Sequence, residues 1–202
     1  MEVLAVISNA ALFIPAYTAY RFKRIFRAFV LFFEALVSAL YHLCDYSGHC
    51  LFPFEIMQRW DFFFAETLIV IAGLYLIHFS PEYGFIEWIM ILLYLIVIFV
   101  LQIALPGELY VQAGLIGSIV IILVVYWFIF GIPNYEWFSL AMGTIFLSLS
   151  AILFTYQVCY PEGYWAIHSL WHVLGALGIT FIFYTKEPAK LYQNAANKIY
   201  FR

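Results

Sequence analysis

The chain has 202 residues, of which 66% are hydrophobic and only 10% are charged. Soluble domains carry about 25% charged residues, and a mean hydropathy of +0.97 leaves more apolar surface than a soluble core of this length can hide. The net charge of −3 provides no basic, nucleic-acid-like surface, so no nucleic acid partner is expected and lipid is expected to be the solvent for most of the chain.

A helix crosses the hydrocarbon core with about 20 mostly apolar residues. The first such segment, Val3–Tyr20, is too long for the core of a signal peptide. It has no basic region before it and no small-residue cleavage site after it, so it reads as a retained span. Six more follow: Ile25–Cys44, Trp60–Ser80, Phe85–Leu105, Val111–Phe130, Trp137–Cys159 and Tyr164–Tyr184. The breaks carry turn chemistry, as in "DYSGHCLFPFE", "SPEYG", "LPGELY", "GIPNYE" and "CYPEGYW". The predicted fold class is all-α: an integral membrane bundle of seven transmembrane helices forming one domain over 1–202, with a short basic tail over 186–202. Aromatic residues, 22% of the chain, suit anchoring at the membrane interfaces.

Basic residues predict the direction. Arg21, Lys23, Arg24 and Arg27 follow the first span, and Lys186, Lys190, Lys198 and Arg202 follow the seventh. With seven spans both groups fall on one side, which the positive-inside rule places in the cytosol. The N-terminus is then expected outside and the C-terminus in the cytosol, with Arg59 the exception on the outer side. Cys44 and Cys50 bracket the loop after span two on that outer, oxidising side. They form a candidate disulfide, with two free thiols or a pairing with Cys159 as the alternatives.

Ionisable and polar side chains within spans are costly and usually face the bundle interior. Span two carries Glu34, Ser38 and His42, four residues apart and therefore on one helix face. Span three opens with Asp61, followed by Glu66. Span seven carries His168 and His172, again four apart. Under the predicted direction, His42, Asp61, His168 and His172 share one depth near the outer face, provided spans two, three and seven are neighbours. Three imidazoles suffice for a zinc ion that keeps a fourth position open. Ser38 lies one turn below His42, and Asp61 is placed to hydrogen-bond a ligand histidine or a water at the ion. The plainer alternatives are satisfied interfacial histidines, a serine bonded to its own helix and a buried protonated Glu34. His49 and His78 fall away from this cluster and read as surface residues.

The order Ser-x-x-x-His late in span two, Asp early in span three and His-x-x-x-His in span seven resembles the CREST superfamily of seven-span membrane proteins. That group includes alkaline ceramidases, the progestin and adipoQ receptors and the transmembrane-protein-8 branch with its short, myomaker-like members. "ALYHLCD" (39–45), Cys50, "MQRWDFF" (57–63) and "HSLWH" (168–172) resemble the last branch. The resemblance implies zinc at His42, His168 and His172, with Ser38 and Asp61 completing the site.

Two functions follow from the resemblance. A myomaker-like protein promotes cell–cell membrane fusion during muscle formation, and the chain shares the short length of those members. Its tail "KEPAKLYQNAANKIYFR" lacks the cysteines that vertebrate members carry there. A ceramidase- or phospholipase-like member is a zinc-dependent hydrolase of lipid amides or esters, and the retained Ser38 keeps that reading open. A receptor without turnover is a third class, for which the short tail offers no signalling module. The expected location is the plasma membrane, as a multipass protein, with Golgi and endoplasmic reticulum as alternatives. The expected partners are membrane lipids, with a second copy of the chain or a fusion partner protein compatible with the same reading. Gly114 and Gly117, and Gly175 and Gly178, are small-residue pairs expected to serve packing inside the bundle.

Overall fold

Apolar segments of about twenty residues joined by short polar breaks have one solution in lipid: helices that satisfy their own backbone groups. The computed structural model describes residues 3–77, 79, 84–106 and 108–186, with the backbone alone for Gly84, Val158, Cys159 and Pro161. His78, the side chain of Cys159 and the tail from residue 187 lie outside the described residues. The helices are α1 (Val3–Arg21), α2 (Ile25–Ser47), α3 (Phe54–Leu76), α4 (Gly84–Ala104), α5 (Leu109–Phe130), α6 (Trp137–Cys159) and α7 (Tyr164–Tyr184). No strand occurs among the described residues. Within α1 the turn Asn9–Leu12 tightens to a 3₁₀ helix. Pro15 lies just beyond it and cannot donate to the carbonyl of Ala11, which loosens the α-helical ladder there.

Among the described residues six helices, all but α3, are long and apolar enough to cross a membrane. The remaining expected span, α3, is present as a helix of spanning length but is more charged than the other six. α3 has 23 residues, as many as α2, but carries Glu55, Arg59, Asp61 and Glu66. Asp61 and Glu66 are buried where α3 packs against α2, α4, α5 and α7, whereas Glu55 and Arg59 are exposed in its first two turns. It also starts at Phe54, six residues before the predicted Trp60, so Arg59 belongs to the helix and not to a loop.

α6 and α7 make the most extensive pairing. A Cβ on Gly178 would stand 2.7 Å from Leu147 Cγ and 3.0 Å from the Leu147 amide nitrogen of α6. Gly178 therefore serves internal packing, as expected. Gly114 and Gly117 do not: a Cβ on either would meet nothing within 4 Å. α1 lies against both α2 and α7. The lipid-ward periphery is formed by α4, α5 and α6, of which only 17% of each apolar window is buried.

At one end of the bundle Arg24, Arg27 and Lys186 gather on the ring of Tyr75, at 5.9, 4.9 and 4.8 Å from its centroid. Lys186 also donates to the carbonyls of Tyr75 and Ile77, so a cation stands at the C-terminus of α3. Arg27 pairs with Glu87 of α4. Nearby, hydrogen bonds from Ser139 and from the Phe138 amide hold the Glu136 carboxyl below its usual pKa and cap the start of α6. His42 is 15 residues along α2 from Arg27, about 22 Å at 1.5 Å per residue, and so lies towards the opposite end.

Candidate metal centre

Five helix ends meet where α1 begins, α2 ends, α3 begins, α6 ends and α7 begins. The column Glu34, Ser38 and His42 on α2 is buried, each residue at most 3% exposed. α2 ends at Gly48, whose φ of 69° is a left-handed cap that closes on the Cys44 carbonyl. Cys50 then returns to Cys44 in a disulfide with a Cα–Cα distance of 4.6 Å. α3 restarts at Pro53, whose carbonyl accepts from the amides of Ile56 and Met57. His49 is exposed on this loop.

The structure brings His42, His168 and His172 together. One ring nitrogen from each lies within 4.8 Å of the others. Ring centroids are 4.6 Å apart for His42–His168, 4.5 Å for His168–His172 and 5.3 Å for His42–His172. Exposures of 0%, 4% and 4% put all three out of solvent. Tyr164 stacks on His168, Trp171 packs against His168 and His172, and Tyr41 packs against His42. This apolar sleeve excludes water from the cluster.

Two partners absent from the sequence-based site orient the rings. His168 Nδ1 is 2.7 Å from Gln157 Oε1 on α6. An amide oxygen only accepts, so the proton lies on Nδ1 and the Nε2 lone pair faces the cluster. His172 Nδ1 is 2.8 Å from Ser8 Oγ on α1. Ser8 donates its own proton to the Ala5 carbonyl at 2.9 Å, so it accepts from Nδ1–H and leaves Nε2 bare. That Nε2 is buried without a hydrogen-bond partner, as is His42 Nδ1. His42 Nε2 approaches His168 Nε2 at 2.9 Å. Both nitrogens cannot present lone pairs at that distance unless a proton or a cation lies between them. The three residues thus fit a divalent cation of the zinc type, which His42, His168 and His172 would hold, on donor chemistry, on burial and on the unpartnered Nε2 of His172.

Ser38 and Asp61 lie beside this cluster as a pair of their own. Ser38 and Glu34 are the near neighbours of the Asp61 carboxyl group, and Asp61 Oδ1 and Glu34 Oε2 have no hydrogen-bond partner. No hydrogen bond joins Asp61 to a histidine among the described residues; Ser8 and Gln157 do that work instead. Their signal in the sequence is polarity inside apolar runs, Ser8-Asn9 in the first span and Gln157 in "LFTYQVC". No curated protein matches the sequence. The family described as "Protein of unknown function (DUF3522)" matches residues 1–173, and this multipass helical chain belongs to it.

Proposed function

We propose that this protein is a myomaker-like member of the CREST superfamily that promotes cell–cell membrane fusion, with zinc as a clamp among His42, His168 and His172. The observation that carries the reading is the enclosed trio of imidazoles, with Nδ1 of His168 and of His172 already occupied by protein oxygens. A ligand set this buried favours a structural ion. Held there, an ion ties α7 to the end of α2, with α1 and α6 braced against them through Ser8 and Gln157. In this reading α3 completes a seven-span bundle in the plasma membrane, with the N-terminus and the metal centre outside. Membrane lipids are the medium acted upon, and a second copy or a fusion protein on the same surface supplies the assembly that a lone bundle lacks.

A second reading, a zinc-dependent lipid hydrolase, is favoured by the Ser38–Asp61 pair beside the histidines. When bound, the ion would supply Lewis acidity towards an acyl carbonyl. Asp61 would hold the proton taken from water, and Ser38 would donate a hydrogen bond to the developing oxyanion.

One experiment separates the two. Wild type, H168A and S38A are expressed at matched surface levels in a cell-mixing assay, and the purified proteins are assayed for zinc and for turnover of labelled ceramide and phosphatidylcholine. Wild type is expected to hold about one zinc per chain and to drive mixing. H168A is expected to lose both, and S38A to keep both. Mixing lost in S38A together with measurable wild-type turnover selects the hydrolase. A wild type that never drives mixing rules out the fusion reading.

A further inference from the structure

Away from the histidines, α3 and α4 enclose an open cleft of ≈ 180 Å³. That is below the roughly 300–1,000 Å³ of pockets that enclose a small molecule, so the cleft is a groove on the bundle surface. Trp60 and Phe63 of α3 and Phe99 and Ile103 of α4 form its apolar walls, and Arg59 and Gln102 are its polar members. Because α3 begins where α4 ends, Arg59 and Gln102 both belong to the same end of the bundle, and Phe63 and Phe99 lie a turn deeper.

Each polar member has an unmet need. Arg59 is exposed and makes no ion pair among the described residues, whereas Arg27 at the other end has Glu87. Gln102 is only 3% exposed. Its Nε2 donates to Glu66 Oε1 at 2.8 Å, yet its Oε1 has no partner. A lone guanidinium near the end of a membrane helix favours a phosphate. The aromatic wall running inward favours hydrocarbon.

We infer that this groove is a binding site for an anionic phospholipid, with the phosphodiester on Arg59 and part of one acyl chain along Phe63 and Phe99. A choline headgroup cancels the charge of its phosphate, so phosphatidylcholine is the disfavoured lipid. The site is independent of the metal centre, which none of its residues touches.

Native mass spectrometry of the purified full-length protein, titrated with phosphatidylglycerol or phosphatidylcholine, tests it. Wild type is expected to retain phosphatidylglycerol in preference. R59A is expected to lose about fivefold in phosphatidylglycerol retention, the ~1 kcal/mol that one cation contributes at an anionic surface, with R59K retaining most of it. I103W, which fills the groove and leaves the charge in place, is expected to reduce retention of both lipids. R21A, at the opposite end, where Arg21 meets Tyr17, is expected to match wild type. Equal retention by wild type, R59A and I103W overturns the proposal, as does an equal loss in R21A. Should R59A fail to fold, as judged by helical circular dichroism, the I103W comparison decides alone. Zinc content is measured in parallel, and because the groove lies apart from the histidines it is expected to stay unchanged in all four variants.

Discussion

In the proposed metal centre Gln157 would act only through His168, by holding Nδ1 protonated so that Nε2 presents its lone pair. Removing such a partner typically weakens a metal site by about 10–100-fold without removing a ligand. Q157L is therefore expected to purify with zinc but to release it to a chelator at roughly 10–100-fold lower competitor concentration. H168A should hold none at any concentration. An unchanged competition curve for Q157L would mean that the hydrogen bond does not orient the ring for a metal. The three clustered histidines were legible as residue types at one depth, because histidines four apart on a helix share a face. Ser8 and Gln157 were not legible as their partners, because that depends on α1 and α6 flanking α7, which hydropathy does not encode. Asp61 was read as a partner of a histidine or of a water at an ion; no hydrogen bond joins it to a histidine among the described residues, and Ser38 is its near neighbour. Residues at equal depth need not touch.

At the scale of helices, the limits of α2 and α7 in the sequence were close to those observed, because each ends in a strong signal: Gly48 for α2, and the break "CYPEGYW" before α7. The start of α3 was misplaced by six residues because its first two turns carry Glu55, Arg59 and Asp61, which lower the hydropathy there although the helix continues through them. The glycine pairs separate in the same way. Gly178 stands where α6 backbone approaches, and Gly117 stands in open space, though both read as small residues in an apolar run. Overpacking a close helix contact costs about 1–3 kcal/mol. G178V is thus expected to lower the thermal midpoint of the purified protein by several degrees, with zinc loss following as α7 shifts. G117V is expected to leave that midpoint and the zinc content near wild type. Equal destabilisation by the two variants would mean that the α6–α7 approach is not what Gly178 provides.

For the molecule as a whole, the proposed direction in the membrane rests on two observations that do not depend on each other. Arg24, Arg27 and Lys186 converge on Tyr75 at one end, although α2 and α7 are far apart in the sequence. The Cys44–Cys50 disulfide and the histidine cluster belong to the opposite end. Cations are retained on the cytosolic side and disulfides persist on the oxidising side, so charge and sulfur chemistry both support the proposed direction. That direction needs an odd number of crossings between the two termini, and therefore needs α3 to cross with its buried Asp61 and Glu66. With only the six apolar helices crossing, both termini would lie on one side. Epitope tags at the two ends distinguish these arrangements in intact cells. The N-terminal tag is expected to bind antibody without permeabilisation, and the C-terminal tag only after it. Both tags reporting the same compartment would leave α3 outside the count of spans, and would place the Tyr75 cations and the disulfide in an arrangement that the charge rule does not allow.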